Sequence, residues 1–137
     1  MKKLDQLLQV ESLLEVRYQK QQQSFQRLVA HETRLRTDIE RLKENAIEMR
    51  ASLSEDAKMR SVGADIAWQA WLGRKKAALN GELAQVLAIK EHHLKQVRTA
   101  YGKLIVAREL AGNLRGDIKK RKARDELSRA IDLFGMK

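Results

Sequence analysis

The sequence contains no cysteine and no proline. Lack of cysteine removes disulfides and thiolate metal sites and fits a reducing compartment, so a cytoplasmic location is expected. Aromatic residues are scarce, at 4%, while charged residues reach 34%, a balance that cannot build a thick globular core. No apolar run approaches the roughly 18 to 20 residues that a membrane span needs. The start, Met1-Lys2-Lys3-Leu4, runs into Asp5, Gln6, Gln9 and Glu11 instead of an apolar stretch, so no secretory signal and a soluble protein are expected.

What is present is a long apolar seam. Alternate steps of three and four from Leu4 reach Leu7, Glu11, Leu14, Tyr18, Gln21, Phe25, Leu28, Glu32, Leu35, Ile39, Leu42, Ala46, Met49 and Leu53. All but Glu11, Gln21 and Glu32 are apolar, and the residues between them are mostly polar, which is the pattern of a coiled-coil helix. Between Ser52 and Asp65 the seam lapses. Ser52-Leu53-Ser54-Glu55 matches a capping box and Ser61-Val62-Gly63 offers a second cap with a breaker, so the chain turns there with room for a short extra helical turn.

A second seam follows through Trp68, Leu72, Leu79, Leu83, Val86, Lys90, Leu94, Val97, Tyr101, Leu104, Ala107, Ala111, Leu114 and Ile118, drifting between 3.5 and 3.6 residues per turn. Glycines at 73, 81, 102, 112 and 116 weaken this helix unless they allow close backbone approach; the Gly112 to Gly116 spacing suggests such a contact or a local bend. The expected fold is all-α, an antiparallel two-helix coiled-coil hairpin with an overhanging C-terminal helix end. One elongated domain is expected over residues 1–137, with helix 1 at about 2–53, a connection at about 54–63 and helix 2 at about 64–134.

Folding back near residue 59 pairs positions whose numbers sum to about 118. Ile39 then faces Leu79, Leu35 faces Leu83, Leu14 faces Leu104 and Leu7 faces Ala111. Glu11 falls opposite Arg108, a polar pair that would penalise register slips. A parallel homodimer would bury the same stripe. In the hairpin, Met1 sits opposite about Asp117, which leaves the last twenty or so residues without a partner. This overhang carries Lys119, Lys120, Arg121, Lys122 and Arg124, then Leu127, Ile131 and Phe134 at helical spacing, an arrangement suited to a partner-binding end.

The net charge of +10 is unevenly spread: residues 1–54 hold 10 basic and 8 acidic groups, 55–80 hold 5 and 3, and 81–137 hold 13 and 7. Acidic partners are implied, whether a protein, an anionic membrane or nucleic acid. The basic cluster at Lys119 to Arg124 is short and lacks interleaved aromatics, which favours a protein surface over nucleic acid. An enzyme is not expected, because two helices leave almost no interior in which to exclude water. No cofactor and no metal are expected either: His92 and His93 point about 100° apart on a helix, and His31 stands alone. Trp68 and Trp71 lie at the start of helix 2, the first expected to pack on Leu53 or Met49. Trp71 is expected on the flank with Leu72 and the row Arg74, Lys75 and Lys76, as binding hot-spot material.

The two long helices and the segment Ala64-Asp65-Ile66-Ala67-Trp68-Gln69-Ala70-Trp71-Leu72-Gly73-Arg74-Lys75-Lys76-Ala77-Ala78-Leu79 together resemble the FliJ family of bacterial flagellar export proteins, with the YscO-type proteins of virulence type III secretion as structural kin. The resemblance implies a non-enzymatic stalk in the pore of a hexameric export ATPase, monomeric alone and located in the cytoplasm, peripheral to the export apparatus at the inner membrane. It implies contact with the cytoplasmic domain of an export gate membrane protein and with export chaperones. On this reading Leu4, Leu7, Arg115, Lys119, Lys120, Arg121, Lys122, Arg124, Leu127, Ile131 and Phe134 meet the ATPase. Trp68, Trp71, Leu72, Lys75 and Leu79 meet the gate. The competing readings are a generic coiled-coil adaptor or homodimer and a basic helical nucleic-acid-binding protein.

Overall fold

A computed structural model describes residues 2–58 and 62–135. Two long helices, α1 (Lys2–Glu55) and α2 (Ala64–Gly135), account for nearly all of them, and there is no strand among the described residues. The helices pack against each other antiparallel, as an all-α hairpin. The apolar seam is the reason: neither helix has another surface on which to bury its stripe.

Between the helices the capping signals act differently from the sequence expectation. Ser52-Leu53-Ser54-Glu55 is the last turn of α1, and the Ser54 hydroxyl donates back to the Ala51 carbonyl at 3.0 Å instead of capping a new helix. Asp56 takes the capping role, its Oδ1 accepting from the Lys58 backbone N–H at 3.1 Å ahead of a helical turn at residues 57–58. Ser61 lies outside the described residues. Gly63 has a φ of 77°, which a side chain would strain, and its carbonyl accepts from the Ala67 N–H at 3.1 Å to open α2.

Packing divides the chain into two compact units, Met1–Gln22 with Gln96–Lys137, and Gln23–Lys95. In the first, the buried residues are Ala100, Leu104, Ala107 and Ala111, all from α2. At their levels in the register α1 supplies the half-buried Tyr18, Leu14, Glu11 and Leu7. Small residues on one helix against larger ones on the other let the two backbones approach and fill the seam. Tyr18 and Tyr101 meet with ring centroids 5.3 Å apart. Tyr101 nevertheless stays largely exposed, because the seam passes from Val97 through Ala100 to Leu104 and leaves Tyr101 on its edge.

In the second unit Leu35, Leu42 and Leu53 of α1 and Val86 of α2 are buried, flanked by half-buried Ile39, Ala46, Leu79 and Leu83. Burying one such side chain contributes roughly 1.5–3 kcal/mol, so these few leucines and Val86 carry much of the apolar stabilisation of the unit. Met49, expected in the seam, is exposed. The helical glycines do not serve close contact: a Cβ added at Gly73, Gly81, Gly102, Gly112 or Gly116 would meet nothing within 4 Å. The expected small-residue contact at Gly112 and Gly116 is therefore absent.

Candidate binding surfaces

Charged side chains pair across the seam edge. Arg108 reaches Glu11 at 3.8 Å, as the pairing arithmetic anticipates, but its shorter contact is to Glu15 at 2.6 Å. With Arg108 47% exposed this is a surface ion pair, and it carries little of the desolvation cost that a buried register device would. A more sheltered pair joins Lys90 to Glu32 at 2.6 Å, with side chains 30% and 15% exposed. Arg36, one turn along α1, also donates to Glu32 at 3.1 Å. The hydrogen bond from Lys90, then that from Arg36, holds the Glu32 carboxyl below its ordinary range.

Sequence reasoning placed both Glu32 and Lys90 on the seam without pairing them. The signal was there: helical side chains lean toward their own N-termini, so long partners on antiparallel helices meet about one turn beyond the strict level. Glu15 with Arg108 is displaced in the same sense as Glu32 with Lys90.

The C-terminal stretch of α2 is bare. Arg115, Lys119, Lys120, Arg121, Lys122, Arg124 and Leu127 are exposed, as are Ile131 at 58% and Phe134 at 85%. Leu4 and Leu7, grouped with them by sequence, are half-buried at seam positions and present much less free surface.

The tryptophan region divides. Trp68 and Trp71 stack on each other with centroids 5.0 Å apart and planes inclined by 22°. Trp68 and Leu72 are half-buried and line a groove of about 790 Å³, whereas Trp71 and Lys75 are exposed and Leu79 is a half-buried seam residue. The groove also takes in Leu53, as expected for the Trp68 neighbourhood, but not Met49. Its α1 wall includes Lys43, Ile47 and Arg50, which sequence reasoning did not single out because nothing in their spacing marks them as lining a concavity.

His92 is exposed, His93 is half-buried, and their rings meet edge to face at 6.1 Å. Among the described residues no cluster of histidine and acidic groups could hold a metal, and no helix is long and apolar enough to cross a membrane. The fold and these surfaces define an all-α helical hairpin that offers a groove and a bare helix end. No protein-family model, no curated protein and no solved structure matches the chain.

Proposed function

We propose that the chain is a non-enzymatic component of a bacterial flagellar or related type III protein-export apparatus, a stalk for the pore of a hexameric export ATPase. The observation that carries this reading is the C-terminal part of α2, a basic then apolar helix left uncovered in its own unit. The likeness of Ala64 to Leu79 to the start of the second helix in the FliJ family, and the hairpin itself, support it. Lys119, Lys120, Arg121, Lys122 and Arg124 meet acidic loops of the ring, and Leu127, Ile131 and Phe134 supply the apolar anchors. The stalk hydrolyses nothing. It biases the ring by touching its subunits unequally, so that their conformations couple through differential binding. Trp71 and Lys75, with Trp68, Leu72 and Leu79 behind them, face the export gate. Export chaperones are the further partners, met in the cytoplasm beside the inner membrane.

Co-purification with the export ATPase, and stimulation of its hydrolysis, are lost when the chain is ended at Ile118, which keeps the seam and removes the basic and apolar groups from Lys119 onward. Binding and stimulation that survive this truncation would refute the stalk assignment. The exposure of Val10, Leu13, Val106 and Leu110 favours a second reading, a coiled-coil homodimer or adaptor. Sedimentation separates the two, since the stalk is a monomer alone and the adaptor a dimer.

A further inference from the structure

We infer that the groove in the unit of residues 23–95 is a docking site for an acidic amphipathic helix of a partner protein, anchored by an aromatic side chain that bears a hydrogen-bond donor. The groove, at about 790 Å³, has the size of a binding site, and its floor is apolar, built from Leu53, Trp68 and Leu72. Around that floor stand Lys43, Arg50 and Lys76, all exposed. None of the three has an ion-pair partner among the described residues. Lys43 and Arg50 come from α1 and Lys76 from α2, so the rim is cationic on both helices and favours a ligand that brings carboxylates to it.

The one acidic residue of the wall among the described residues, Asp65, behaves in the opposite way. Its Oδ1 is buried and has no hydrogen-bond partner among the described residues. A buried acceptor without a donor is unfavourable, and because Asp65 lines the groove and is only half-buried as a residue, turning its carboxyl toward a ligand O–H or N–H removes the deficit. A ligand carboxylate set beside Asp65 would be repelled by it. The groove therefore sorts its ligand by position: an apolar body with a donor tip, such as tyrosine, on the floor, and glutamate or aspartate at the mouth. A second copy of this chain fits poorly, because it would bring the same three cations against themselves in a molecule of net charge +10. This inference does not depend on the export reading.

The test uses labelled helical peptides and fluorescence anisotropy on the full chain. One peptide carries a tyrosine anchor between leucines with glutamates on both flanks, the second replaces the tyrosine by phenylalanine, and the third replaces the glutamates by lysines. The first binds best, the phenylalanine peptide several-fold more weakly, and the lysine peptide at least about tenfold more weakly, with an affinity gap that shrinks in high salt. The triple variant Lys43→Glu, Arg50→Glu, Lys76→Glu reverses the charge preference while its circular dichroism is unchanged, since all three side chains are exposed. Equal binding of the glutamate and lysine peptides, or binding of none, overturns the proposal. Equal binding of the tyrosine and phenylalanine peptides removes the role given to Asp65. A concentration-dependent dimer dissolved by the triple variant, or a short single-stranded DNA preferred to every peptide, would give the groove a different occupant and overturn it as well.

Discussion

Two stretches of the same helix carry apolar residues at helical spacing and meet opposite fates. From Ala100 to Ala111, α2 presents Leu104 at 1% exposure, with Ala107 and Ala111 also buried. From Leu127 to Phe134 it presents Leu127, Ile131, Leu133 and Phe134, all exposed, the last at 85%. Composition does not separate the two, because both are apolar stripes on polar helices. What separates them is cover: α1 packs over the first stripe, while the side chains of the second stand exposed. A periodic stripe records a capacity for burial, and it is realised only where a partner helix exists.

The sharpest way to break this contrast is Leu104→Ala. Truncating the most enclosed side chain is expected to destabilise the protein by about 2–5 kcal/mol in urea unfolding, since it removes transfer energy and leaves a cavity. A loss of only a few tenths would mean that the covered stretch is as loosely held as the bare one. A smaller effect is expected for Lys90→Met. Because the folded Glu32 carboxyl titrates below the unfolded one, the pair contributes stability above the ordinary glutamate range and loses it as pH falls through the lowered folded value. The variant should therefore be less stable than the parent at neutral pH, and the two melting curves should converge on acidification; parallel curves at every pH would deny the pair any role. The smallest effect belongs to Leu127→Ser, Ile131→Ser and Phe134→Ser combined. Each site is exposed and each is expected to change unfolding stability by no more than about 0.5 kcal/mol, so a substantial loss would show that the stripe is already covered within the chain.

Much of the fold was legible because coiled-coil spacing is a local property. Leu35, Leu42, Leu53, Val86, Leu104, Ala107 and Ala111 all lie on the stepped seams and all are buried. Where the step drifted the reading slipped by one residue, choosing Tyr101 over Ala100, since a large aromatic attracts a seam assignment that a small alanine fills better. The capping signals misled for a related reason. Ser52 to Glu55 has the letters of a helix start, but Leu53 is buried on the seam, and that burial extends α1 past them. Of the candidate surfaces, the basic and apolar end was visible from the pairing arithmetic. The groove was not, because Lys43, Arg50 and Asp65 come together through the way the two helices sit beside the turn, which no one-dimensional pattern encodes.

The sequence by itself determined that there are two helices, where they divide and which register aligns them, because heptad spacing and the one break are written along the chain. Tertiary structure alone decided how the edge charges pair, with side chains leaning toward their own N-termini and carrying Lys90 to Glu32 and Arg108 to Glu15. It also decided that Trp68 and Leu72 turn into a groove while Trp71 and Lys75 face outward. Those outcomes depend on the direction of each Cβ and on the local separation of two helices, and neither quantity exists until the hairpin has closed.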